Sequence, residues 1–513
     1  MHEPAAFGKV LCWKFTGLVV HAFLMRFLFL TFLLSVSALA ADEFPLGPDS
    51  LAHPEVPKGA IIKDIFKADE KSVFPGTERE VVIYVPQQLD RSKLAPFMVF
   101  QDGVIYQAPV VLDNLIHKKE LPPMIGIFIK PGVVPATNEN ALPRYNRSLE
   151  YDSVSDRYAR FLVAELLPWL KKTHGLNLSD DPDARAIAGS SSGGICAFMV
   201  AWHRPDLFRR VFTNVGTYVG IHGADQLPVF VRKFEPKPLR VYLQSGTGDN
   251  NLYCGDWWMA NQTMERSLAW AGYEVTHTWG EGGHNQKHAS QIFPDVMRWL
   301  WKGYPGEPLK ANPRNESKWK GYEIFENGTA WEKADIKGSY LNVAAEGQVS
   351  EADAPNARSV NATGKAFTGH LEKGHYIFNA LSPDQSILYE ARSAGDNYVT
   401  ASQITPNGDL VYRQPFVRLD SLQEAPIDAQ GMCVDTEGRL YVATQFGIQV
   451  CDQAGRVNFI IPTPKKASDV CFGGKDLSEL FIACGDSVYK RPTKARGVIS
   501  SQMGPIKPAA PKL

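Results

Sequence analysis

At 513 residues the chain is long enough for at least two domains. Apolar residues make up 44% and charged residues 21%, the balance of a globular protein with a sizeable core. A formal net charge of −1, with no long basic run, gives no sign of a nucleic-acid partner or a strongly charged surface.

The first 40 residues read as a targeting segment rather than fold. Arg26 precedes an apolar run from Phe27 to Leu39, and Ala38-Leu39-Ala40 supplies a small-x-small cleavage pattern before Ala41. A signal peptide over 1–40 is expected, with Met25 as an alternative start. Its apolar run is short for a bilayer span. The mature chain is then expected to be secreted or periplasmic, without membrane contact. Of the seven cysteines, Cys12 lies in this leader. No Cys-x-x-Cys pair suggests zinc or dithiol chemistry.

A first domain is expected over 41–304. Strands are predicted at Arg79–Pro86, Ala95–Gly103 and Met124–Ile129, the last a continuous apolar run of the kind found in a buried parallel sheet. A helix follows over Asp156–Lys172, with Tyr158, Phe161, Leu162, Leu166, Trp169 and Leu170 on one face and Gly175 as its stop. Further strands are predicted at Arg185–Ala188, Leu239–Gly246 and Glu274–Trp279. They alternate with helices at Ile195–Trp202, Trp257–Trp270 and Gln286–Trp301. Strands alternating with helices predict an α/β fold with a mostly parallel sheet.

Between one such strand and the next helix lies Gly189-Ser190-Ser191-Ser192-Gly193, a Gly-x-Ser-x-Gly sequence. In a tight strand-to-helix turn that spacing exposes the central hydroxyl, because only glycine fits at the flanking positions. By itself the pattern is common in a glycine-rich chain. Two later features raise its meaning: Asp249 and His284 each follow a predicted strand, where α/β sheets carry functional residues. The order Ser, Asp, His is that of α/β-hydrolases. Ser191 is the expected nucleophile, His284 its base, and Asp249 the group that orients the imidazole. Asp256 is an alternative acid, and His277 and His288 compete with His284. Backbone N–H groups of Ser192, Gly103 and Val104 are the expected oxyanion donors. Tyr106, Arg144 and Trp257 are expected to line the substrate cleft. The proposed chemistry needs no cofactor and no metal.

Phe97–Tyr106, Gly189–Gly194, Asp256–Gln262 and Gly280–Asn285 together resemble the esterase family that includes enterochelin esterases, esterase D and secreted feruloyl or acetyl-xylan esterases. The resemblance spans about residues 60 to 303. It implies an α/β-hydrolase acting on small-molecule or polysaccharide esters, without a cofactor. Siderophore and plant-wall esters are the substrates it implies.

Tyr304–Pro308 marks a boundary, and 305–375 reads as a linker with irregular β structure. From residue 376 to 513 a strand–turn–strand unit recurs, with an aromatic ring at Tyr389, Tyr441 and Phe481. Spacings of about 40 to 50 residues are those of propeller blades. Gly431–Asp452 and Ala467–Pro492 resemble the SMP-30/gluconolactonase family. That resemblance implies a six-bladed propeller holding a divalent metal through a Glu, two Asn and an Asp. Here Gln430 stands at the Asp position and Ile377 at one Asn position. Amide and aliphatic groups are poor substitutes at a hard cation. The expectation is therefore an incomplete, all-β propeller-like segment without metal. A metal-dependent lactonase, or a non-catalytic carbohydrate-binding protein, is the alternative to an exported serine esterase.

Overall fold

The computed structural model describes residues 44–312, 324–326, 328–352, 358–361, 363–368, 371–372, 375–393, 397–422 and 427–510. The expected signal peptide over 1–40 lies outside them. Among the described residues no helix is long and apolar enough to cross a membrane.

Apolar and β-branched runs set the strands of the first unit. These are β1 (Ala60–Lys67), β2 (Glu78–Val85), β3 (Phe97–Gln101), β4 (Ile125–Ile129), β5 (Val133–Val134) and β6 (Arg144–Tyr145). They continue with β7 (Arg185–Ser190), β8 (Arg210–Asn214), β9 (Arg240–Gly248), the small hairpin β10 (Asn251–Leu252) and β11 (Gly255–Asp256), and β12 (Glu274–Gly283). All but the hairpin join one sheet in the order β12-β9-β8-β7-β3-β4-β2-β5-β6, with β1 beside β2. Pairings from β12 through to β4 are parallel. β2 is antiparallel to β4, and β1 to β2.

Every residue of β3, β4, β7 and β8 is buried. Phe97, Val99 and Ile187 face one apolar layer, while Met98, Phe100 and Ala188 face the other. Burial on both faces is why these strands read as continuous apolar runs rather than alternating ones. The helix predicted over Asp156–Lys172 is one rod in three parts. Arg157–Phe161 and Leu167–His174 are α-helical, with a π turn at Leu162–Leu166 between them. Pro168 has no N–H to give to the preceding turn, and the widened turn accommodates it. β8 and the helices Ala108–His117 and Leu227–Lys233 had no expectation from sequence.

Beyond residue 324 the described residues are mostly strand. One sheet joins His375–Leu381, Ile387–Arg392, Tyr398–Ile404 and Leu410–Arg418 as a meander, with Leu371–Glu372 at its edge. A second joins Met432–Val434, Leu440–Thr444, Gly447–Cys451 and Val457–Ile461. In the third, Asp469–Gly473, Glu479–Cys484 and Ser487–Pro492 are closed on the outside by Glu332–Lys337. The repeated aromatic residues sit in the first hairpin of each sheet. Tyr389 pairs with Ala380, Tyr441 with Cys433 and Phe481 with Cys471. Glu332–Lys337 alters the expected linker over 305–375, because that stretch already supplies a strand to the last sheet. Only Ala334 and Ile336 are apolar and half-buried while the other four residues are charged and exposed, so the aromatic repeat gives no signal there.

The two units pack together. Phe234 forms a β-bridge with Ile460, Lys233 pairs with Asp420, and Arg491 pairs with Glu235 at 2.9 Å. The Arg491 guanidinium also lies 3.7 Å from the Phe325 ring centre. Cys196, Cys254, Cys433, Cys451, Cys471 and Cys484 are all free thiols.

Asp469 is 5% exposed and accepts backbone N–H groups of Leu341 and Val470. Burial outweighs those donors and pushes its carboxyl up to about 7 from 3.8. The folded chain therefore holds this proton where the unfolded chain has already released it. Stability is expected to fall as pH rises from about 4 to about 7 on account of this group. Denaturant midpoints measured across that window should show the decline, and Asp469→Asn should flatten it.

Candidate active site

β7 delivers the chain into the elbow. Ser191 sits at φ 58, ψ −122, a strained conformation for a residue with a side chain. The flanking glycines are sterically required. A Cβ on Gly189 would lie 2.1 Å from the Gly193 carbonyl oxygen. One on Gly193 would lie 2.9 Å from both Gln101 Cβ and Asp102 Oδ2. Ser191 N–H donates to Asn214 O, while Ser191 O accepts from the N–H groups of Gly194, Ile195 and Thr217. The turn is thus tied to β8 on one side and to the helix Ser192–His203 on the other.

The strands β9 and β12 run parallel, side by side, and carry the next two residues. His284 Nε2 lies 2.8 Å from Ser191 Oγ, and His284 Nδ1 lies 2.6 Å from Asp249 Oδ1. The other carboxylate oxygen, Oδ2, accepts from Ser245 Oγ at 2.6 Å, and Oδ1 also accepts the Asn250 N–H. The Asp249 side chain is fully buried and the imidazole about one-fifth exposed. The bend that brings His284 in is a register shift of β12 between Gly280 and Gly283. The competing residues are engaged elsewhere. Asp256 Oδ1 accepts the Met259 N–H and caps the helix Trp257–Ala271. His277 stacks on Trp279 beside Glu265. His288 is buried against Gln244 and Phe44.

The expected oxyanion donors are only partly free. Gly103 N–H donates to Ile129 O at 3.1 Å, so it is already committed. The left-handed Asp102, at φ 65, makes that turn. Arg147, which no sequence motif marks, joins the two loops here. Its Nε and Nη2 donate to the Asp102 carboxylate at 2.7 and 2.9 Å, and its Nη1 donates to Ser192 Oγ at 2.9 Å. The fork holds the loop after β3 against the first residue of the elbow helix.

The expected cleft residues fare differently. Tyr106 is 2% exposed and packs against Phe212 and Phe293 beneath the sheet. Trp257 is 3% exposed, with its ring edge against His284 and its indole N–H donating to Thr217 Oγ1. Neither presents a face to a substrate. Both are large rings whose apolar area is buried in the packing around the site. Arg144 is exposed on β6, which pairs with β5 at the far edge of the sheet.

The second unit does not fit the metal set that the SMP-30/gluconolactonase resemblance implies. Ile377 is a buried aliphatic residue, and Gln430 Nε2 donates to Asp428 Oδ1 at 2.6 Å. Among the described residues no group of three or more His, Cys, Asp or Glu could hold a metal ion.

Residues 72–293 match the family model described as "Putative esterase", and residues 345–485 match that described as SMP-30/Gluconolactonase/LRE-like region. The iron(III) enterobactin esterase of Escherichia coli (strain K12) is 27% identical over 263 residues, covering 49% of this chain and 59% of that protein. Regucalcin of Oryctolagus cuniculus is 29% identical over 178 residues, covering 31% of this chain and 57% of that protein. The chain therefore spans less than two thirds of these relatives. Among solved structures, an enterobactin esterase from Shigella flexneri in the presence of enterobactin has a TM-score of 0.39. It is 23% identical and covers 50% of this chain and 62% of that one. A CE1 ferulic acid esterase from Anaeromyces mucronatus has a TM-score of 0.39 at 16% identity, covering 51% and 97%. The two family matches thus fall on separate parts of the chain, the first on the α/β unit and the second on the strand-rich unit.

Proposed function

We propose that the N-terminal unit is an α/β-hydrolase that cleaves carboxylic esters through an acyl-enzyme on Ser191. One observation carries this reading: Ser191 Oγ, the imidazole of His284 and the buried Asp249 carboxylate form one hydrogen-bonded run at 2.8 and 2.6 Å. His284 Nε2 takes the Ser191 proton as Oγ attacks the ester carbonyl. Asp249 holds the Nδ1–H tautomer and stabilises the imidazolium. The Ser192 N–H and the Val104 N–H, on a loop clamped by Arg147, are the donors left for the developing oxyanion. Collapse expels the alcohol, which takes its proton from Nε2. Water activated by the same nitrogen then releases the acid.

The enterobactin-esterase relatives support siderophore esters as substrates. Acetyl or feruloyl esters of plant polysaccharides belong to the same reaction class. The second unit is read as an incomplete propeller-like domain. Its meander sheets, and an outer strand drawn from Glu332–Lys337, support that reading. It packs against the esterase unit and takes no part in the chemistry. Export follows cleavage before Ala41 and can be checked by N-terminal sequencing of the mature protein.

A short-chain nitrophenyl ester tests the reaction. The purified chain is expected to hydrolyse it at a rate unaffected by chelator, with a pre-steady-state burst of nitrophenol equal to the enzyme present. Hydrolysis that stops with chelator, or proceeds without a burst under conditions of slow deacylation, would sink the proposal.

A further inference from the structure

Ser191 Oγ has a second neighbour that the mechanism above leaves unused. Thr217 Oγ1 lies 3.3 Å away, on the side opposite the imidazole in the hydrogen-bond sequence. Thr217 follows β8 in the loop Val215–Tyr218, and its own N–H donates to Ser191 O at 3.2 Å. Its side chain and main chain are thus both tied to the nucleophile's residue. On its other side, Thr217 Oγ1 lies 3.2 Å from the indole Nε1 of Trp257. Trp257 is held in turn by its ring contact with His284 at 5.5 Å and by the Asp256-capped start of its helix.

The direction of this chain follows from what each group can do. An indole N–H only donates. It therefore occupies a lone pair of Thr217 and leaves the threonine hydrogen to find an acceptor. In a buried setting such a hydrogen is paired, and Ser191 Oγ is the oxygen within reach. Ser191 then has its own hydrogen free for His284 Nε2. The run Trp257 → Thr217 → Ser191 → His284, with His284 Nδ1–H donating to Asp249, has every donor facing one way. Hydrogen bonds aligned in this manner polarise one another. Thr217 supplies the term that fixes where the Ser191 oxygen points.

We infer that Thr217, set by the Trp257 indole, is a positioning residue for the Ser191 nucleophile. This inference rests on the esterase reading proposed above. Threonine and valine have nearly the same shape, so Thr217→Val replaces the hydroxyl with a methyl group and removes the donor with little steric change. It is expected to lower kcat/KM for nitrophenyl esters roughly 10- to 100-fold, the scale of a misplaced reacting group. KM should change little. Inactivation by a sulfonyl fluoride, which needs only the serine and its base, should slow by the same factor. Thr217→Ser restores the hydroxyl and is expected to return both rates to within a few-fold of the parent. Trp257→Phe removes the indole N–H together with part of the ring volume packed against His284, and should give an intermediate loss. It also serves if Thr217→Val does not fold, as judged by its thermal transition. Unchanged rates in Thr217→Val would overturn the inference. So would Thr217→Ser being as defective as Thr217→Val, since the methyl rather than the hydroxyl would then matter. Failure of the parent reading is separable, because it would show as full activity in Ser191→Ala whatever Thr217 does.

Discussion

Ser191→Ala is expected to lower kcat for ester hydrolysis by about 10^6, and Asp249→Asn by about 10^4, near 5.5 kcal/mol of transition-state stabilisation. The two losses differ in origin. Alanine removes the atom that bonds to the acyl carbon. Asparagine leaves the packing of a fully buried side chain almost intact, yet it presents an amide where a carboxylate accepts the Nδ1 proton at 2.6 Å. An amide N–H facing Nδ1 would favour the wrong tautomer, with its proton on Nε2, and the base would then have no lone pair for Ser191. The same substitution at the rival acid makes the comparison decisive. Asp256→Asn keeps an oxygen for the Met259 N–H, so the helix cap persists, and kcat should stay within a few-fold of the parent. If Asp256→Asn carried the large loss and Asp249→Asn did not, the assignment of the acid would be reversed. The double variant Ser191→Ala/Asp249→Asn should be no slower than Ser191→Ala alone, because the two residues act as one unit.

Much of this site was legible because its chemistry is punctuated in the chain. Gly189 and Gly193 mark a turn that nothing larger fits, and Asp249 and His284 lie at or just past the ends of β9 and β12. Position along a parallel strand is a strong guide in such folds. The residues that escaped notice lack that punctuation. Arg147 stands in an unremarkable polar stretch, and its value comes from meeting Asp102 and Ser192, each 45 positions away. Thr217 follows the end of β8, a five-residue strand without a strong sequence signal, so its placement is not legible either. Tyr106 and Trp257, expected to line the cleft, are buried beside it. Their burial is a property of the second layer of packing, which a linear pattern does not carry. The outer strand Glu332–Lys337 shows the same limit in the other unit, since its sheet membership is decided by partners about 150 residues onward.

The largest expected effect on stability comes from a pair remote from the chemistry. Arg79 and Glu150 have fully buried side chains and meet through two contacts, Nη1 to Oε2 at 2.8 Å and Nη2 to Oε1 at 3.1 Å. Arg79 Nη2 also donates to Thr77 Oγ1, and Gly132 N–H donates to Glu150 Oε2. The guanidinium lies 4.2 Å from the Phe161 ring centre. Removing either partner leaves the other charge dry and unpaired, so Glu150→Ala or Arg79→Ala should each cost about 3–5 kcal/mol. The paired replacement Arg79→Met/Glu150→Leu should cost much less than the sum of the two single changes, because apolar groups of similar volume need no partner. Denaturant unfolding followed by a probe in the first unit, with all variants at matched m, measures this. Equal losses in the single and paired variants would mean that shape rather than charge is at stake. The pair also bears on the site. Glu150 belongs to the short helix Arg147–Tyr151, so the buried ion pair anchors the element from which Arg147 reaches Asp102 and Ser192. The paired variant, folded but lacking that anchor, is therefore expected to show a lower kcat at nearly normal stability. A single-partner variant should lose both together.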